Sequence, residues 1–178
     1  MKQTYIIKPS HDCQGRGIYL MNNLGELRSE ESSVVAQTYI DNPFLIDDLK
    51  FDLRLYVVIT GVDPLRIYLY DDGLARFATN PYVSATEGDI SDLFMHLTNY
   101  SINKKSAIYN AAKTNTNEDS EQMYSDEGQP RVEHKRSFKQ VLNLLAQQGF
   151  EVGVLMKRIE DLIVKTMITG QNYLKQVY

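Results

Sequence analysis

Two short pieces near the N-terminus supply the first chemistry the chain could perform. Tyr5-Ile6-Ile7-Lys8-Pro9 is an apolar run that ends in a lysine, and Gln14-Gly15-Arg16-Gly17 follows it six residues later. An ammonium supplies charge, and glycines let backbone N–H groups approach an anion closely, so the pair reads as a grip for phosphate. A surface lysine followed by an ordinary hairpin turn gives the same string. The sequence holds no G-x-x-x-x-G-K-[ST] loop and no G-x-G-x-x-G opening a helix. Its lysine also precedes the glycine turn, the reverse of the order in protein kinases.

A second group lies in Lys50-Phe51-Asp52-Leu53-Arg54-Leu55-Tyr56-Val57. Phe51, Leu53, Leu55 and Val57 alternate with Lys50, Asp52 and Arg54, which places the three charged side chains on one face of a strand. That face is either solvated or occupied by a partner such as a triphosphate with its magnesium. Arg66 and Arg76 extend the positive surface, and the planar fork of arginine binds carboxylate or phosphate bidentately. Residues 34–40 read as a buried strand. Its end, at Gln37, Thr38, Tyr39 and Ile40, could offer backbone groups to an adenine ring, although a plain core strand looks the same. Met95-His96-Leu97-Thr98-Asn99-Tyr100-Ser101-Ile102-Asn103 interleaves polar and apolar side chains, either to line a polar site or to cap and link elements. Cys13, His11, His96 and His134 lack metal-site spacing, and no nucleophile stands beside a base.

The elements that must carry these residues are mostly strands in the first hundred positions, at about 4–7, 18–21, 34–40, 51–60, 65–70 and 74–78. Asp71-Asp72-Gly73 is a hairpin signal between the last two. From about 107 to 135 the composition turns polar without a period, which predicts a loop or insertion. Ser137-Phe138-Lys139-Gln140 has the form of a capping box opening a helix through Val141, Leu142, Leu144 and Leu145, and Gly149 stops it. A second amphipathic helix is expected over about 152–175, with Leu155, Ile159, Leu162, Ile163 and Met167 on one side.

With 178 residues and 43% hydrophobic content, the chain suits one compact domain or a two-lobed piece of a larger enzyme. A net charge of -4 gives no global basic field, so nucleic acid is not an expected partner and any anion must be gripped locally. One cysteine, no membrane-length apolar run and no charged-then-apolar leader predict a reducing cytosolic setting without a membrane partner.

Taken together, Ile7-Lys8-Pro9, Cys13-Gln14-Gly15-Arg16-Gly17-Ile18, Lys50-Phe51-Asp52-Leu53-Arg54, Gly73-Leu74-Ala75-Arg76-Phe77-Ala78 and His96-Leu97-Thr98-Asn99-Tyr100-Ser101-Ile102-Asn103 resemble the tubulin tyrosine ligase-like family in order and spacing. The likeness covers roughly residues 4–105, and Asp161-Leu162-Ile163-Val164-Lys165-Thr166 is similar to the family as well. These motifs look most similar to the polyglutamylases, with glycylating members and the tyrosine ligase as further relatives.

The resemblance implies an α+β, ATP-grasp fold, mostly antiparallel sheet with C-terminal helices. Residues 1–45 would belong to the smaller lobe covering the nucleotide and 46–178 to the larger lobe. Lys8, Gln14, Gly15, Arg16 and Gly17 would touch ATP phosphates. Gln37, Thr38, Tyr39 and Ile40 would form the adenine-side linker, Lys50 and Asp52 would contact adenine or ribose with Phe51 between them, and Thr98 and Asn99 would complete the nucleotide pocket. Arg76, Tyr100, Ser101 and Lys135 would hold the incoming glutamate, Gln14 would also face the protein substrate, and Arg54 would stabilise the charge on an acyl phosphate. The implied reaction uses ATP and Mg2+ to join free glutamate to a glutamate of a tubulin tail, in a monomer working in the cytoplasm on the cytoskeleton, cilium or basal body included. The family holds magnesium through an Asp on a late strand and a Glu-x-Asn pair on the next, and nothing after Asn103 matches them. The chain is therefore expected to be a fragment lacking the metal-binding strands and inactive by itself. A non-catalytic module that binds nucleotide or tubulin, and an ATP-grasp ligase with a small-molecule acceptor, are the alternatives.

Overall fold

The computed structural model describes residues 3–27, 33–107 and 134–177, which fall into two compact units. Most of the polar stretch expected as an insertion, at 108–133, lies outside them. Its end does not: Lys135 opens a short strand.

The first unit comprises residues 1–52 and 76–134. It holds a three-stranded antiparallel sheet in the order β2 (Tyr19–Met21), β1 (Tyr5–Pro9), β3 (Val34–Thr38). Ile6 stands opposite Leu20 and Gln37, and Ile7 opposite Tyr19 and Ala36. Ile7 is fully buried, as the middle of a central strand should be. Leu20, Tyr39 and Ala85 form a core cluster against which Ile6, Tyr82 and Ile90 pack. Strand β3 corrects the sequence reading, which predicts it to be buried. Residues 35–38 are exposed and Val35 keeps 54% of its surface. As an edge strand it is paired on one side only, so its apolar residues do not report a core position.

Two one-turn helices follow in the same unit, α1 (Leu93–His96) and α2 (Tyr100–Asn103). The Asp92 side chain accepts from the Phe94 N–H and caps α1. Buried Asn103 accepts from the Thr79 hydroxyl at 3.0 Å and donates to the carbonyls of Leu97 and Asn99, which fixes the turn between the two helices.

A four-stranded sheet runs in the order β4 (Leu45–Ile46), β5 (Leu49–Val62), β6 (Leu65–Phe77), β7 (Lys135–Ser137). Strand β6 is continuous where two strands and a turn were expected, so Asp71-Asp72-Gly73 is not a hairpin. The reversal comes at 63–64 between β5 and β6. Gly73 serves a different need. A Cβ built on it would stand 2.4 Å from the Arg54 carbonyl oxygen, so only glycine lets these strands approach so closely.

The second unit comprises residues 53–75 and 135–178. Helix α3 (Phe138–Gln147) begins with the expected capping box, Ser137 and Gln140 each accepting from the other's backbone N–H, and buries Phe138, Val141 and Leu145. Asp72 accepts the Lys139 N–H at 3.1 Å and Asp71 pairs with the Lys139 ammonium at 2.9 Å, so the acidic pair of β6 tethers the start of α3. Gly149, at φ 85°, ends α3 as predicted. Helix α4 (Val152–Val177) follows, with Leu155, Ile159, Ile163 and Met167 half-buried. Leu162 does not join that stripe: it is 66% exposed. Among the described residues no helix is long and apolar enough to cross a membrane.

Candidate functional site

Leu49 opens β5 and is buried, so strand alternation turns Lys50 to the opposite face. There the Lys50 ammonium donates to the Tyr39 hydroxyl at 2.8 Å and stands 4.3 Å from the centre of the Tyr39 ring. Tyr39 follows directly on β3 and is 5% exposed. Its hydroxyl also meets Nδ1 of His96, at the end of α1, at 3.1 Å. The rings of Tyr39 and Tyr82 both meet the His96 ring edge-on, with centroids 5.6 Å away. Burial lowers the Lys50 ammonium to about 8, against the pull of Asp41 and Asp52, and pushes the Tyr39 phenol up to about 12. Burial also lowers His96, and the Lys50 charge adds to that, while the bond to the Asp89 carbonyl opposes it. Among the described residues Lys50 is thus a half-buried cation hydrogen-bonded to a neutral hydroxyl, with Asp41 and Asp52 near enough to act on its charge, which makes it a candidate anion-binding group.

Asp41 anchors the loop beneath this lysine. It accepts from the Tyr82 hydroxyl at 3.1 Å, the Ser84 hydroxyl at 2.6 Å and the Ala85 N–H. Burial pushes its carboxyl up, but the donors at Ser84, Ala85 and Tyr82 outweigh that and hold it below the ordinary value. The sequence reading missed Asp41, Tyr82 and Ser84 altogether. Asp41-Asn42-Pro43 has the look of a turn, and no spacing linked it to residues forty positions on.

Beside Lys50, the Ala78 N–H donates to the Lys50 carbonyl at 2.8 Å, which sets Arg76 opposite Asp52. The two form a bidentate pair, Nε to Oδ1 at 2.8 Å and a terminal nitrogen to Oδ2 at 2.7 Å, with side chains 17% and 32% exposed. Arg76 keeps further N–H donors beyond those two. Phe51, between Lys50 and Asp52, stacks on Phe77 at 5.4 Å.

Lys8 and Gln37 are joined by a 2.7 Å hydrogen bond from the ammonium to the side-chain oxygen, across the β1–β3 pair. Gln14, Gly15 and Gly17 all take positive φ, at 59°, 84° and 65°. A Cβ on Gly15 would stand 2.8 Å from Ile102 and 3.1 Å from Asn99, and one on Gly17 would stand 2.8 Å from Pro9. The Ser101 hydroxyl donates to the Gln14 carbonyl. The glycine turn is thus pressed onto α2, bringing Gln14, Gly15, Asn99 and Ser101 together beside an open cavity of about 730 Å3 whose lining includes Arg16, Asp92, Lys104 and Lys105.

The remaining expected site residues are placed as follows. Thr38 and Ile40 are exposed around Tyr39, Thr98 is half-buried between α1 and α2, and Tyr100 is 42% exposed with the Lys104 ammonium 5.7 Å from its ring centre. Arg54 and Lys135 are exposed and belong to the second unit. Among the described residues no group of three His, Cys, Asp or Glu side chains could hold a metal ion.

A model of the Tubulin-tyrosine ligase family matches residues 1–177. The chain is similar to a probable beta-tubulin polyglutamylase of Tetrahymena thermophila, 45% identical over 177 residues that make up 99% of this chain and 14% of that protein. It is similar to tubulin polyglutamylase TTLL5 of Mus musculus, 45% identical over 94% of this chain and 12% of the relative. Tubulin polyglutamylase TTLL13 of Mus musculus is 40% identical over 99% of this chain and 20% of the relative. The chain thus spans a fifth or less of the length of these relatives.

Proposed function

The chain belongs to the tubulin-tyrosine ligase family, and from that premise we propose that it carries the nucleotide-binding part of an ATP-dependent tubulin polyglutamylase with an ATP-grasp fold. One observation supports this above the others. Lys50 is a half-buried ammonium, lowered to about 8 by burial, held by a neutral hydroxyl and adjoining the Asp52–Arg76 pair. A cation kept out of water without a bonded carboxylate is stabilised when a phosphate arrives. The names of three relatives, each a tubulin polyglutamylase, support tubulin as the acceptor and glutamate as the added amino acid in this reading.

In this reading Lys8 and the Gln14, Gly15, Arg16 and Gly17 turn meet the phosphates, and Gln37, Thr38, Tyr39 and Ile40 border the adenine. Lys50, Phe51, Asp52, Thr98 and Asn99 complete the pocket. Arg76, Tyr100, Ser101 and Lys135 receive the free glutamate, whose carboxylates suit the donors that Arg76 has left. Gln14 also faces the tubulin tail. A tail glutamate carboxylate oxygen attacks the γ-phosphorus as the bond to ADP breaks, giving an acyl phosphate. The amine of free glutamate then attacks the acyl carbon, phosphate leaves, and an amide bond remains after loss of a proton from nitrogen. Arg54 stabilises the phosphoryl charge. Such chemistry needs clamped oxygens and no covalent protein nucleophile. Magnesium would offset charge on the transferring oxygens. Among the described residues no group of three His, Cys, Asp or Glu side chains could hold it.

The site of action that goes with a tubulin acceptor is the cytoskeleton, cilium and basal body included. The test is incorporation of labelled glutamate into microtubules by the full-length protein with ATP. Incorporation that Lys50→Ala and Arg76→Ala each abolish is the expected result. Equal incorporation by both variants and the unsubstituted protein would rule out this assignment.

A further inference from the structure

The hydrogens between Lys50 and His96 can be placed by elimination, because each end of the chain of contacts has a fixed role. A lysine ammonium has donors and no acceptor, so the Tyr39 oxygen accepts from Lys50 across 2.8 Å. A backbone carbonyl has no hydrogen to give, so His96 Nε2 donates to Asp89 across 3.3 Å. A neutral imidazole protonated at Nε2 has a bare Nδ1, and that atom accepts the Tyr39 hydroxyl proton across 3.1 Å. The direction is consistent throughout: Lys50 to Tyr39, Tyr39 to His96, His96 to Asp89. His96 is 1% exposed and its ring is held edge-on by Tyr39 and Tyr82, so it cannot turn to present the other nitrogen without leaving its packing.

We propose that His96 and Tyr39 are positioning residues for Lys50. The imidazole, fixed by Asp89 at one nitrogen, orients the Tyr39 hydroxyl with the other, and that hydroxyl holds the lysine ammonium where an anion must meet it. This rests on the reading of Lys50 as a nucleotide-binding residue. The arrangement works with a neutral imidazole only. A second proton at Nδ1 would give the Tyr39 oxygen two donors and leave its own hydrogen without the acceptor it has now. The charged groups around His96 are Lys50, Asp41, Asp89 and Asp92, and burial together with the Lys50 charge favours the neutral ring against the three carboxylates.

The test uses the full-length protein and two readouts. The first is the pH profile of Lys50 acetylation by acetic anhydride, followed by peptide mass spectrometry, which reports the lysine whether or not nucleotide binds. The second is the Kd for MgATP. Tyr39→Phe, which removes only the hydroxyl, is expected to move the Lys50 profile down by about half a unit or more and to raise the Kd about tenfold. His96→Leu should do the same, while His96→Asn, whose side-chain oxygen replaces Nδ1 as acceptor, should restore both towards the unsubstituted protein. An unchanged acetylation profile in Tyr39→Phe overturns the proposal, and so does a His96→Asn variant as impaired as His96→Leu. Should His96→Leu fail to fold, the near-isosteric Tyr39→Phe decides alone. If Lys50→Ala binds MgATP normally while Tyr39→Phe still shifts the acetylation profile, the nucleotide reading falls and the positioning role stands.

Discussion

Lys50 carries its charge where burial works against it, and pH should expose this in two ways. With the folded ammonium at about 8 and the unfolded one at 10.5, the unfolded chain binds the extra proton between those values. Stability from this group therefore rises with pH across that window and is lost as pH falls through about 8. Chemical denaturation at a series of pH values should show the rise, and Lys50→Met should flatten it. Nucleotide affinity, on the proposed role of Lys50, should run the other way, falling as pH climbs past about 8 by up to about tenfold per pH unit, because the charge offered to the anionic nucleotide is lost. Lys50→Arg should remove that fall, since a guanidinium keeps its proton; a decline that persists in Lys50→Arg would assign it to another group. The Asp52–Arg76 pair gives a second test. Removing one partner leaves the other half-buried and without its bidentate match, so Asp52→Ala should cost roughly 1–3 kcal/mol, read from the denaturation midpoint. Lys50 and Asp52 were legible in the sequence as residues of one strand because charged residues alternating with apolar ones mark a strand face, whereas Arg76 was read as following a hairpin that the continuous strand β6 replaces. Asp41 and Tyr82 were not legible, because their meeting depends on how the chain returns after β6.

The elements show where local pattern suffices. The capping box at Ser137 and the stop at Gly149 are decided within a few residues of chain, and both appear as read. Asp71-Asp72-Gly73 failed because the same letters that make a turn can sit inside a strand when a neighbouring backbone demands a glycine and a following helix uses the carboxylates. Strand β3 failed for a related reason, since apolar residues on an edge strand look like those of a core strand. Two glycine substitutions separate these causes. Gly73→Ala would bring a Cβ to 2.4 Å from the Arg54 carbonyl oxygen, a clash with backbone that cannot swing aside, and should cost roughly 1–3 kcal/mol. Gly149→Ala meets nothing within 4 Å and should cost only the left-handed backbone, about 1 kcal/mol. Thermal unfolding of the two variants side by side should give the larger drop for Gly73→Ala.

At the scale of the whole chain, a net charge of -4 gives no general field to draw anions, so the proposed nucleotide binding rests on a few cations placed by the fold. The sequence named the family, which the comparisons bear out, and offered Lys50 and Arg76 as candidate cations. It named Tyr39 and His96 separately but could not join them behind Lys50, since a tyrosine at the end of one strand and a histidine fifty-seven positions later share no period or motif. The direct measurement is calorimetric titration of MgATP into the full-length protein and its Lys50→Ala variant near neutral pH. A Kd raised about ten- to a hundredfold by the substitution, in a variant that unfolds like the unsubstituted protein, is the predicted result. Equal affinity in the two proteins would contradict the account.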